Sequence, residues 1–109
     1  MTITRNALYA ANQGSKITVG LTASGAALTG QGRFHGLIVK CDGVNDVTLN
    51  VYDNTAASGT QLIPTDSIFD GTVRLAAISL SPGVYYNTGV YVEITCAGTT
   101  EVMVLYNEN

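Results

Sequence analysis

The stretch from Val47 to Thr60 constrains the fold more than any other part of the chain, because it joins a clearly alternating segment to a turn. Apolar and polar residues alternate from Val47 to Tyr52, and a period of two predicts a β-strand with one buried face. Residues 53–55 (Asp-Asn-Thr) then end the strand, since short polar side chains hydrogen-bond to their own backbone in turns. Small residues at 56–59 follow as a corner.

Similar short segments, separated by turn signals about every ten residues, occur along the rest of the chain. We predict strands at 16–22, 33–41, 47–52, 60–63, 72–80, 90–96 and 101–106, and loops at 23–32 and 65–71. No segment favours a helix. The pattern predicts an all-β fold, an antiparallel β-sandwich of seven or eight short strands of jelly-roll or Greek-key type.

Turn residues predict how the strands connect. The pair at 42–43, Asp-Gly, favours a reverse turn, so strands 33–41 and 47–52 are predicted to form an antiparallel hairpin. The loop 97–100 predicts a second hairpin, between 90–96 and 101–106. Pro82-Gly83 predicts a type II turn after the strand at 72–80. The central run of 33–41 is apolar on both sides, which places that strand mid-sheet or under a contact.

The chain of 109 residues has room for a single core. We expect one sandwich domain at 16–109, preceded by an arm or loosely held first strand at 1–15. Hydrophobic residues make up 46% of the sequence and indicate a folded chain. Charged residues make up only 12%, against the ~25% usual for soluble domains. This neutral surface suits a protein that packs against copies of itself or partners; the alternative is a plain monomeric β domain.

The charge distribution excludes several classes of partner. The net charge is −3, and five scattered basic residues do not form the cluster that nucleic acid requires. No apolar run approaches the ~20 residues of a membrane-spanning helix. Residues 1–6 lack the pattern of a secretory signal, so we expect synthesis and assembly in a cytoplasm.

Few residues suggest chemistry. Cys41 and Cys96 have the inward parity of their strands and are predicted to be buried, reduced thiols, and with His35 as the only histidine they do not complete a metal site. The oxygen-rich segment 42–46 fits turn chemistry better than a Ca²⁺ loop. His35 has no nucleophile motif nearby and is expected to bond to a backbone carbonyl or solvent. We therefore predict a protein that is not an enzyme and that carries no cofactor.

Aromatic residues are the candidates for a contact surface. Tyr52 and Tyr91 have outward parity, and tyrosine on a sheet face serves a protein interface, packs across strands or stacks on sugars. All three interpretations stay open from the sequence. The candidate interface residues are Tyr9, Phe34, Tyr52, Tyr85, Tyr86 and Tyr91.

Three segments, Gly36–Val39, Val47–Thr60 and Gly89–Tyr106, resemble small β-sandwich virion proteins of tailed bacteriophages. The likeness covers about residues 33–106: a glycine-led strand, the T-L-x-V-Y-D-x-T-x-x-S-G-T strand and corner, and a glycine-led terminal pair of strands. In the family pattern a variable middle separates the corner from this terminal pair, which forms a hairpin. The resemblance implies a non-enzymatic, homo-oligomeric protein, with a trimer favoured, that binds the major capsid protein or another virion protein.

The function that follows from this resemblance is a capsid decoration, or cement, protein on the outer surface of the phage head. A tail or fibre module is the nearer alternative, because similar modules occur there. A carbohydrate-binding β-sandwich is the alternative from a different class, and Tyr52 and Tyr91 would carry the sugar.

Overall fold

The computed structural model describes residues 16–108, and these residues form strands and loops without a helix. Eight strands follow one another along the chain. They are β1 (Lys16–Ile17), β2 (Gly25–Thr29), β3 (Gly32–Lys40), β4 (Val47–Tyr52), β5 (Ser67–Phe69), β6 (Leu75–Tyr86), β7 (Gly89–Cys96) and β8 (Glu101–Asn107).

The strands form two four-stranded antiparallel sheets. Sheet A has the order β1-β8-β3-β6, and sheet B has the order β2-β7-β4-β5. Odd and even strands alternate along each sheet, and the connections cross repeatedly from one sheet to the other. This is the strand order of a jelly roll, which confirms the predicted antiparallel sandwich.

A single core fills the space between the sheets. Every second residue of the four central strands points inward, as the period of two requires. The inward residues with no exposed surface are Phe34, Leu37, Val39, Val47, Leu49, Val51, Val90, Val92, Val102 and Val104. Val47, Leu49 and Val51 therefore have the orientation that the sequence predicted.

Both predicted hairpins are wrong, because each pair of strands is divided between the sheets. β3 pairs with β6 and β8 in sheet A, whereas β4 pairs with β5 and β7 in sheet B. β7 and β8 are divided in the same way. Their inward residues still meet, but across the core. The position of β3 between two neighbours confirms the prediction of a mid-sheet strand.

Several strand boundaries also differ from the predictions. The predicted loops at 23–32 and 65–71 contain β2 and β5, which sheet B stabilises by pairing them with β7 and β4. The predicted strand at 60–63 is reduced to one bridge, Gln61 to Tyr52. The predicted strand at 16–22 forms only its first two residues and a later bridge, Leu21 to Val102.

The sequence Pro82-Gly83 does not make a hairpin turn. β6 continues through it, and four residues of β6 (80–83) lie opposite the single residue His35 of β3, where the register shifts. Gly83 has a φ of 100°, a positive value that glycine adopts readily because it has no Cβ. Gly36, directly after the shift, has a φ of 135°, and a Cβ there would collide with the carbonyl oxygen of Ile78. A glycine is required where β3 and β6 come this close.

Carboxylates fix the loops at the two ends of the sandwich. Asp42 accepts hydrogen bonds from the backbone N–H groups of Val44 and Asn45 at 2.8 and 2.7 Å. These bonds and the Asn45 side-chain amide lower the pKa of Asp42 to about 2. At the other end, Asp53 accepts from the backbone of Thr88 at 2.8 Å. The corner that begins at Asp53 thereby holds the turn between β6 and β7.

Candidate functional site: the outer faces of the two sheets

Each sheet has an outer face, formed by the side chains that alternate with the core residues. The outer face of sheet A, called face A here, is apolar at its centre. Ile38 of β3 lies directly between Ala77 of β6 and Met103 of β8. On the next row Leu105 lies opposite Ile17 of β1. The apolar residues of face A are Ile17, Ile38, Leu75, Ala77, Met103 and Leu105, and Lys40, Ser79 and Glu101 also belong to this face.

Much of this apolar surface is accessible in the single chain. Leu75 is 65% exposed and Ile17 is 49% exposed, while Ile38 and Met103 are half-buried by their neighbours. Charged residues lie at the two ends of face A. Lys40 is opposite Glu101 at one end, and Arg33 is at the other. Face A is therefore an apolar band with polar ends, which is the composition of an interface core and its rim.

One edge of sheet A is also open within residues 16–108. β6 pairs with β3 on one side, and no described strand pairs with its other side. Its twelve residues include no Lys, Arg, Asp or Glu. Edge strands usually carry charges that discourage pairing with another chain. β6 has no such charges, and from Leu75 to Ser79 it continues the apolar surface of face A to the margin of the sheet; Pro82 and the bulge at 80–83 interrupt the edge beyond that point.

The outer face of sheet B, called face B here, has the opposite character. Its central rows place Asn50 opposite Glu93 and Tyr52 opposite Tyr91 on β4 and β7. Ile68 of β5 is 66% exposed at its margin. Face B consists of Thr48, Asn50, Tyr52, Ile68, Tyr91, Glu93 and Thr95.

Asn50 is the buried polar centre of face B, with 8% of its surface exposed. Its Nδ2 donates to Oδ1 of Asp66 at 2.9 Å and to Oε1 of Glu93 at 3.1 Å. Its Oδ1 accepts from the backbone N–H of Asp66 at 2.8 Å. One amide thus joins the loop before β5 to strand β7. Partial burial and the Glu93 carboxylate raise the pKa of the adjacent Tyr52.

The structure separates the predicted interface residues into different environments. Phe34 is fully buried and Tyr86 is 2% exposed, so both are core residues and are not available to a partner. Their side chains point inward from β3 and β6 and belong to the core cluster. Tyr85 is 63% exposed, and its hydroxyl accepts from Arg33 at 2.7 Å. Tyr9 lies outside the described residues.

Among the candidates within residues 16–108, Tyr52 and Tyr91 are brought together on an outer face. They are half-buried and directly opposite on neighbouring strands of face B. The face A residues Ile38 and Met103 were not among the candidates. The apolar run on both sides of β3 is the signal that could have found Ile38, because a mid-sheet strand of one sheet needs only one apolar side.

The residues with potential chemistry have structural roles. Cys41 and Cys96 are free thiols, and burial raises the pKa of Cys41. Nδ1 of His35 lies 3.3 Å from the carbonyl oxygen of Leu80, which confirms the expected backbone partner. Its Nε2 lies 3.0 Å from Nδ2 of Asn107.

Two further observations concern residues 16–108 alone. They contain no group of three or more His, Cys, Asp or Glu side chains placed to hold a metal ion. They also contain no helix that is long and apolar enough to cross a membrane.

Comparison of the chain with protein-family models, with curated proteins and with solved structures finds no match.

Proposed function

We propose that this chain is a structural protein of a phage virion, most specifically a decoration protein that docks on the outside of the head and stabilises it. One observation supports this proposal above the others: face A is an apolar sheet face that residues 16–108 leave uncovered. An exposed apolar patch with a polar rim is typical of a protein–protein contact.

The docking would act through buried area. Fully burying a Leu or Ile side chain contributes about 1.5–3 kcal/mol, and Leu75 and Ile17 start from 65% and 49% exposure. A four-stranded sheet is about 19 Å wide, from roughly 4.8 Å for each strand, and the nine-residue β3 is about 30 Å long, which gives a face of about 570 Å². Face A alone is therefore smaller than the ~800 Å² that a standard interface takes from each partner. The contact must extend beyond it, and the open edge β6 is the adjoining surface.

Self-association follows from the same surface. We propose a homo-oligomer, with a trimer favoured by the resemblance to phage virion proteins, in which the apolar band is shared between copies and the major capsid protein. Repetition over many equivalent capsid sites would multiply a modest contact. Jelly rolls occur in viral capsid proteins and in lectins, so the fold is compatible with this function but does not select it.

Protein quantification by mass spectrometry of purified phage particles tests the proposal. A decoration protein should be present at a copy number comparable to that of the major capsid protein. A copy number of a few per particle would favour a tail or fibre protein over a decoration protein of the head. Absence from washed, intact particles would contradict the virion function altogether.

A further inference from the structure

Face B carries two features that face A lacks, an aromatic pair and a pair of carboxylates. Tyr52 and Tyr91 are directly opposite on β4 and β7, and opposed residues have Cβ atoms about 4.5–5.5 Å apart. Both side chains are half-buried, so their rings are held by neighbours while part of each remains accessible. The register therefore places two aromatic side chains side by side on the outer face of sheet B.

The carboxylates stand next to this aromatic pair in fixed positions. Asn50 binds one oxygen of Asp66 and one of Glu93 through a single Nδ2, at 2.9 and 3.1 Å. The Tyr52 hydroxyl is 3.5 Å from the same Glu93 oxygen. Within residues 16–108, no hydrogen bond reaches the second oxygen of either carboxylate. Each carboxylate therefore keeps capacity to accept a hydrogen bond from a ligand.

The charge of this surface restricts the ligand. The four strands of sheet B contain no Lys or Arg, whereas the basic residues Lys16, Arg33 and Lys40 all lie on strands of sheet A. An anionic ligand would meet two carboxylates without a counter-charge. The complementary ligand is neutral or cationic and rich in hydrogen-bond donors.

We propose that face B binds a neutral saccharide. The C–H side of a pyranose would rest on the rings of Tyr52 and Tyr91, because the negative face of an aromatic ring attracts polarised C–H groups. Its hydroxyl groups would donate to Asp66 and Glu93. A pyranose offers a C–H face to the rings and separate hydroxyl donors to the two carboxylates, whereas a lysine side chain carries all its donors on one nitrogen. Asn50 positions the carboxylates and does not itself touch the sugar, since it is only 8% exposed and both N–H groups of its amide already donate to Asp66 and Glu93.

The proposal does not depend on the virion function, and a glycan array with the full chain tests it. Neutral glycans should bind, and sialylated or sulfated ones should not. A titration of the chain with the tightest-binding glycan, monitored by NMR, then gives the affinity. That affinity should be the same at low and at moderate salt concentration. Tyr52→Ala and Tyr91→Ala should each weaken that affinity about tenfold or more, which corresponds to roughly 1.4 kcal/mol.

Two variants serve as controls. Tyr85→Ala removes a tyrosine that is 63% exposed on the other sheet, and it should leave the affinity unchanged. Tyr52→Phe keeps the ring and should retain binding even if the alanine variant fails to fold. No binding to any neutral glycan would overturn the proposal. So would equal losses from Tyr85→Ala and Tyr52→Ala, or binding only to Lys- and Arg-rich peptides that salt abolishes.

Discussion

At the centre of face A, Ile38 lies between Ala77 and Met103, whereas at the centre of face B, Asn50 lies opposite Glu93. Both faces are the outward halves of alternating strands over one shared core. The two faces have the same kind of backbone structure, so the difference in their polarity depends on the outward side chains alone. Under the proposals made above, the two sides of the sandwich meet different surroundings, a protein surface on face A and a polar ligand or solvent on face B.

The largest expected effect comes from placing a charge on face A. Ile38→Asp should weaken self-association at least about thirtyfold, because losing a central apolar contact typically costs 2 kcal/mol or more. Thr95→Asp, an exposed position on face B, should change it less than about threefold. Analytical ultracentrifugation over a concentration series measures both.

A second face A variant separates a loss of association from a loss of folding. Leu75 is 65% exposed, so Leu75→Asp should leave the thermal midpoint nearly unchanged while it still weakens association. Equal association of the wild type and both face A variants would remove the distinction between the faces.

The next effect concerns folding stability. Here a substitution on face B should have a larger effect than one on face A, the reverse of the effects on self-association. Asn50→Ala should lower the free energy of unfolding by about 1–3 kcal/mol, because it leaves the backbone N–H of Asp66 without its partner. Met103→Ala on face A removes a half-buried side chain and should cost less than about 1 kcal/mol in the isolated chain. Urea unfolding of both variants compares them, and a larger loss for Met103→Ala would contradict the role of Asn50.

A smaller effect is expected at the margin of face B. Oε1 of Gln61 is buried and has no hydrogen-bond partner among the described residues, and Gln61 forms a bridge to Tyr52. Gln61→Met should therefore leave stability unchanged or raise it by up to about 1 kcal/mol. The exposed Gln31→Met is the matched control and should have no effect. A clear loss of stability from Gln61→Met alone would show that this oxygen is satisfied in solution.

The smallest effect lies away from both faces, in the loop between β3 and β4. Hydrogen bonds from Asn45 and Val44 lower the pKa of Asp42 from 3.8 to about 2. The stability that they contribute is complete above about pH 4 and is lost as the pH falls towards 2. Asp42→Asn should show a weaker loss of stability across this range in thermal melts at pH 5 and pH 2.5. Identical pH profiles for the two proteins would contradict this role.

The sequence predicted the strands whose outward residues are polar or whose inward residues are large. β4 and β7 are clear in the alternation of Val with Thr, Asn, Tyr and Glu. β2 was missed because Gly25, Ala26 and Ala27 have low strand propensity, and its strand depends on pairing with β7. The class of fold was therefore predictable, whereas short strands defined by their partners were not.

The division of strands between sheets could not be derived from local pattern. The loop at 42–46 has the composition of a hairpin loop, and a loop that connects strands of two different sheets can have the same composition. In both arrangements Leu37 and Val51 face the same core, so inward parity does not distinguish them. Two residues of face B, Tyr52 and Tyr91, were predicted from the sequence. The Asn50–Asp66 bond was not, because it joins residues from two different elements.

Hydroxyl-radical footprinting of the chain, free and assembled on particles, tests the division between the faces most directly. Met103 reports on face A, and Tyr52 and Tyr91 report on face B. We predict that oxidation of Met103 falls several-fold on assembly while that of the two tyrosines stays the same. Unchanged oxidation of Met103 together with protection of Tyr52 and Tyr91 would contradict the assignment of face A as the contact surface.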